Sequence, residues 1–251
     1  MKTLLKVSVI VVLLIIVALT MIGVYLNSII KAGVEAVGPK ITGTTVKLDA
    51  VDLFPFSGQG RLKGLVVGNP PGFQAERAFK LADAKVKVDL KTAVTDKLII
   101  EEILIDGPEI TYESGRSGSN LSKIQEHVAA FGKSVGTQEG AESKPPKKAS
   151  AQKKVQINDF IFKNGKVTMS TSMLGGKPLT ISLPDIHLRD IGKDSGGVTP
   201  ETAVSEVFKA VEKAVVQSVA KGAQEAVKSL GKAAGEGSSQ VGEAVKRLFG
   251  K

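Results

Sequence analysis

Few residues in this chain combine the type and spacing that chemistry requires. His127 and His187 are the only histidines. His127 falls in a short polar stretch and His187 in the alternation Ile186-His187-Leu188, and no cluster of His, Asp or Glu has metal-ligand spacing. Glu101 and Glu102 are adjacent, so on a regular strand they point to opposite faces and form no acid–base pair. Gly60, Gly64 and Gly68 do not make a phosphate loop, because no Gly-Lys-Ser/Thr ending and no helix follow. The run Ser114-Gly115-Arg116-Ser117-Gly118-Ser119 lacks the strand and helix that frame a nucleophile elbow. Cysteine is absent, which removes thiolate chemistry and disulfides. The chain therefore reads as non-enzymatic, with no catalytic, cofactor-binding or metal site.

What remains informative is apolar patterning. No charged side chain occurs from Val7 to Ile30, and Val7 to Leu26 is almost wholly apolar. Twenty helical residues span about 30 Å, the thickness of the hydrocarbon layer. Lys2 and Lys6 precede this run and Lys31 follows it. The competing reading is a cleavable leader, whose apolar core is about 7–15 residues before a small-x-small site. Here the core is longer, and Asn27-Ser28-Ile29-Ile30 offers no such site. Residues 1–31 read as a single-pass membrane anchor. The basic N-terminus favours the cytoplasmic side and leaves the body outside the cytoplasm, in the periplasm if the cell is Gram-negative.

The net charge is +9 over 251 residues. Lys144, Lys147, Lys148, Lys153 and Lys154 lie in one stretch without acidic residues, and setting these five aside leaves +4. No aromatic side chains interleave with them, so nucleic acid is not the expected partner. Residues 133–154 read as a basic linker, either solvated or touching anionic lipid headgroups.

Residues 40–132 form a first β-rich unit. Val46 to Val51 and Ala84 to Leu90 alternate, as strands with one apolar and one wet face do. An apolar-x-x-apolar-x-apolar motif recurs at Leu62, Leu65, Val67; at Ile100, Ile103, Ile105; at Ile157, Phe160, Phe162; and at Leu183, Ile186, Leu188. That spacing fits a strand bulged between its first two apolar positions. The second and third copies extend further, since Ile100–Thr111 aligns with Ile157–Thr168. Asn120 is the expected cap of a short helix carrying Leu121, Ile124 and Val128 on one face. Residues 155–192 read as a meander, with two-residue hairpins at Asn164-Gly165 and Gly175-Gly176.

Residues 199–251 read as helical. Thr199 caps and Pro200 takes the first position. Val204, Val207, Phe208, Val211, Val215 and Val219 fall in an arc of about 120°. Gly231, Gly235 and Gly237 are the expected breaks, and Val241–Phe249 a last short helix. The expected fold is α+β and β-dominated: an N-terminal transmembrane helix, a curved antiparallel sheet built from repeated β-units, and a C-terminal amphipathic helix.

Several segments in order carry a family likeness. They are Ile41-Thr42-Gly43 after the anchor, Gly60-Arg61-Leu62-Lys63-Gly64-Leu65-Val66-Val67-Gly68-Asn69-Pro70-Pro71-Gly72-Phe73, Ile103-Leu104-Ile105-Asp106-Gly107-Pro108-Glu109-Ile110, and Asn120-Leu121. Over about three quarters of its length the chain resembles the AsmA-like family of bacterial envelope proteins. The resemblance implies a β-rich body hung from the inner membrane, with a role in outer-membrane biogenesis and an apolar groove that carries phospholipid. At 251 residues the chain is too short to bridge two membranes by itself.

The residues themselves allow two uses. In the first, Leu62, Leu65, Val67, Ile100, Ile103, Ile105, Phe160 and Phe162 line one apolar sheet face, met by acyl chains or by the chain's own helix. In the second, Val204, Phe208, Val211 and Val215 form a helical face that recruits a protein partner to a membrane-tethered scaffold.

Overall fold

The computed structural model describes residues 25–115, 118–136, 153–170 and 178–234. A helix over residues 25–42 (α1) opens the described chain. Strands β1 (Val46–Lys47), β2 (Ala50–Phe54), β3 (Gln59–Gly68), β4 (Arg77–Val88), β5 (Lys97–Asp106), β6 (Glu109–Gly115) and β7 (Gly118–Ser119) follow. Helix α2 (Asn120–Gly136) leads to β8 (Lys154–Lys163), β9 (Lys166–Ser170), β10 (Leu179–Ser182), β11 (Ile186–Ile191) and helix α3 (Pro200–Ala234).

The eleven strands form one sheet that curls into a half-barrel. Apart from the short β7, they behave as six long strands that cross a common crease. β1 and β2 both pair with β3, β3 pairs with β4 along its length, and β4 runs antiparallel to β5 and then to β6. β10 and β11 likewise pair with β9 and β8. The bends fall in line across the sheet. Gly64 of β3 has φ +62°, Gly107 between β5 and β6 has φ +65°, and Asn164 between β8 and β9 has φ +55°. Backbone bonds stitch the crease: Gly107 N–H donates to Lys163 O (3.0 Å), Lys166 N–H to Pro108 O (2.9 Å) and Leu183 N–H to Gly165 O (2.8 Å). Only glycine, or asparagine at some cost, takes the left-handed conformation readily. A Cβ on Gly64 would also collide with the Asp49 carboxylate.

Two expectations are corrected here. The sheet is mixed, because β5 pairs parallel with β8 and β6 parallel with β9. The two copies of the repeat lie side by side in register: Ile100 faces Ile157, Ile103 faces Phe160, Ile105 faces Phe162 and Ile110 faces Val167. The connection through α2 brings the chain back to the end where β5 began, which is what a parallel pair requires. Asn164-Gly165 is therefore no hairpin. It repeats Gly107-Pro108, and the chain bends there and continues. Gly175-Gly176 lies outside the described residues. The bulge expected between Ile100 and Ile103 is present, since Lys87 pairs with Glu102 and Val88 with Ile100, leaving Glu101 as the extra residue.

The helices differ in detail from the sequence reading. Ser119, not Asn120, caps α2: Ser122 N–H donates to Ser119 Oγ (3.1 Å), and Ser119 N–H to Ser122 Oγ (2.9 Å). Asn120 is fully buried and ties α2 to the sheet. Its Oδ1 accepts Glu113 N–H (2.9 Å), and its Nδ2 donates to Thr111 O and to Asn69 Oδ1 (both 2.8 Å). Thr199 caps α3 as expected, but the helix passes Gly231 and runs to Ala234. α2 likewise reaches Gly136, into the expected linker. No helix among the described residues is long and apolar enough to cross a membrane. The anchor run lies outside them except for its last two residues, and Val241–Phe249 lies outside them too.

Gly107 isolates the conformational cost of the crease, because a Cβ there would meet no atom within 4 Å. Gly107→Ala should lower unfolding stability by about 1–2 kcal/mol through backbone strain alone. Chemical denaturation of the full chain measures this; an unchanged midpoint would contradict the assignment.

Candidate functional site

Alternation along each strand and pairing between strands bring apolar residues into rows that cross the sheet. One row runs Val51, Leu62, Ala84, Ile105, Phe162, Ile186. Another runs Val46, Val67, Phe79, Ile110, Val167, Ile181 on the far side of the crease. The opposite face carries charge. Arg61 pairs with Asp83, Lys63 with Asp52 (2.5 Å), Lys87 with Glu101 (2.7 Å), and His187 Nε2 meets Asp159 Oδ1 at 2.6 Å. Both histidines are exposed, and Glu101 is engaged with Lys87. Gly60, Gly64 and Gly68 lie within β3, not in a loop. No group of three or more His, Asp or Glu among the described residues could hold a metal ion.

α3 packs across β8, β9, β10 and β11, and α2 packs on α3 and β6. Gly222 lets α3 approach Ile181, since a Cβ there would collide with that side chain. The two helices cover the face only in part. Between them and the sheet lies a cleft of ≈ 390 Å³. Its floor includes Leu65, Val67, Ile100, Ile103, Ile105, Phe160 and Phe162, which are seven of the eight sheet positions expected from sequence. Leu62 is not part of the lining; it sits in its row between Val51 and Ala84. The roof includes Val204, Phe208 and Val211 from α3. Val215 lies beyond the cleft, fully buried in the core. The expected partner face of α3 is thus turned onto the chain's own sheet, because the same stripe that would suit a partner matches the apolar rows beneath it.

Phe79 and Ile110 from the sheet, Leu121 and Ile124 from α2, and Val207 from α3 complete much of the lining. The last three stood on helix faces legible in sequence, but nothing local said which cavity they share. Two lining residues carry polar side chains. Thr42 Oγ1 is satisfied by donating to Gly38 O at 2.9 Å. Glu212 has no hydrogen bond or ion pair among the described residues. Burial pushes its carboxyl above the usual range, and nearby Glu126 pushes in the same direction. Burial also raises the Tyr112 phenol. Glu212 was hidden in sequence within a helix of balanced charge. A signal was present, however, because it stands four residues after Phe208 and three before Val215, inside the apolar stripe.

No protein-family model matches the chain, and no curated protein matches it. The cleft has to be interpreted from its own geometry.

A carboxyl whose value rises on folding adds stability below its unfolded value, and that contribution is lost as pH climbs through the folded one. Glu212→Gln should therefore melt higher than wild type at neutral pH, and the difference should vanish at about pH 4 and below. Thermal unfolding against pH reads this directly, and a gap independent of pH would refute it.

Proposed function

We propose that this chain is a membrane-anchored, non-catalytic envelope protein of the AsmA-like kind, and that the cleft holds an acyl chain during lipid handling or outer-membrane biogenesis. The observation that carries the reading is the cleft lining, apolar apart from Thr42 and Glu212. Water is a poor occupant, because an ordered molecule needs two to four polar partners. Left to solvent, the cleft's apolar walls stay wet at a cost of about 25 cal/mol per Å². A hydrocarbon chain removes that penalty. The volume lies within the about 300–1,000 Å³ of ordinary ligand sites, so it suits one chain and not a continuous conduit.

The sequence anchor supports the same reading, since it holds the cleft beside a bilayer, the bacterial inner membrane in this proposal, with the body in the periplasm. The scaffold alternative is less well supported, because Phe208, Val211 and Val215 are already packed against the core.

The full chain, extracted from membranes, should carry phospholipid detectable by mass spectrometry. Val204 stands at the cleft and is 42% exposed, so Val204→Trp should fill the opening and reduce bound lipid severalfold without lowering the melting temperature. Repeated isolation of wild type free of phospholipid would overturn the proposal.

A further inference from the structure

α1 runs antiparallel to the edge formed by β1 and β2, bonded to it through residues spaced four apart. Asn27 Oδ1 accepts Leu53 N–H (3.0 Å), Lys31 Nζ donates to Asp49 O (2.9 Å), and Glu35 Oε1 accepts Leu48 N–H (3.0 Å). The start of α1 is thereby fixed at the end of the sheet where β2 finishes. The last two residues of the apolar run, Tyr25 and Leu26, lie at that end.

Two adjacent loops project from the same end. The β2–β3 turn carries Phe54-Pro55-Phe56, and the β4–β5 loop carries Leu90 and Val94. They touch through Val88 N–H, which donates to Gly58 O at 2.8 Å. Turn tips are ordinarily Gly, Asn, Asp or Ser. Here Phe56 is 81% exposed and Val94 91%, with Phe54, Leu90 and Tyr25 also exposed beside them. Exposed apolar side chains standing singly need no explanation, but a group of five at one end does. The polar residues around them are weighted toward lysine. Lys91 is exposed, and Lys153 Nζ donates to Ala93 O. Lys153 and Lys154 close the basic segment that begins at Lys144. Asp89 and Asp96 are the nearby acids, and Asp89 accepts Lys91 N–H at 3.0 Å.

We infer that this end of the sheet is a membrane-docking tip: Phe54, Phe56, Leu90 and Val94 insert into the interfacial layer of the bilayer that holds the anchor, and the lysines meet anionic headgroups. The inference rests on the anchored reading and goes beyond it, since an anchor alone leaves the body free to stand off the surface. Tyr25, where the apolar run meets α1, sits at the depth that interfacial aromatics prefer. The rigid α1–edge contact sets the two loops level with it. Apolar residues combined with basic ones are the ordinary composition of a surface that lies in an anionic interface.

Because the chain has no cysteine, single labels report without background. Phe56→Cys, Val94→Cys and Glu76→Cys would each carry an environment-sensitive fluorophore in the full chain, reconstituted into vesicles of phosphatidylcholine and phosphatidylglycerol. Glu76 is exposed on the β3–β4 loop at the opposite end of the sheet. Shallow doxyl-labelled lipid should quench positions 56 and 94 at least about twofold more than position 76. Equal quenching at all three, in protein that still floats with the vesicles, overturns the docking tip and leaves the anchor standing. Protein that does not float removes both.

Discussion

The apolar rows across the sheet cannot be left to water. Each buried Å² of apolar surface is worth about 25 cal/mol, and a row such as Val51, Leu62, Ala84, Ile105, Phe162 and Ile186 crosses six strands without a polar side chain. The face must be covered, and the rest of the architecture answers that requirement. α2 and α3 roof much of it, with Ile124, Val128, Val215 and Val219 almost wholly buried beneath them. The crease lets the sheet curl toward its own roof, because left-handed residues fall at one level in three of the long strands. Where the roof stops short, the cleft remains, and its chemistry is that of the rows themselves.

The duplicated unit accounts for much of this regularity. Copies stacked in parallel register put like residues side by side, so a bend that suits one suits its neighbour. Gly107 and Asn164 solve the same backbone problem with different residues. Asn164 compensates for its strain with a side-chain bond, its Nδ2 donating to Asp106 Oδ1 at 2.8 Å. The exposed edge at β1–β2 is managed differently. Asn27, Lys31 and Glu35 of α1 satisfy its free N–H and C=O groups, which blunts an edge that would otherwise invite another strand.

Charge is placed by the same logic. The ion pairs Arg61–Asp83, Lys63–Asp52 and Lys87–Glu101 stand on the wet face, where each contributes little to stability. Glu212 is the exception, a carboxyl against the cleft with no partner among the described residues. Its cost is tolerable because it is only half-buried and can take a proton as pH falls. An apolar cleft passes beneath α3, and exposed apolar loops stand at the end of the sheet where α1 begins; in the proposed reading these are the surfaces that meet lipid.

The sequence alone was enough for the properties that depend on period and composition. Alternation exposed the strands, the three-then-two spacing placed a bulge between Ile100 and Ile103, and the twelve-residue match revealed the repeat. Seven of the eight residues chosen for the apolar face line the cleft, because a side chain's face follows from its position in a two-residue period. Pairing direction was beyond its reach. Asn164-Gly165 has the local chemistry of a hairpin, yet the neighbouring copy already supplied partners on both sides, and the chain ran on. Likewise the stripe on α3 says that something apolar covers it, not what. Only long-range contact decided that the cover is the chain's own sheet, that Ser119 displaces Asn120 as the cap, and that Glu212 faces a cavity, because each of these depends on groups far apart in sequence competing for the same place.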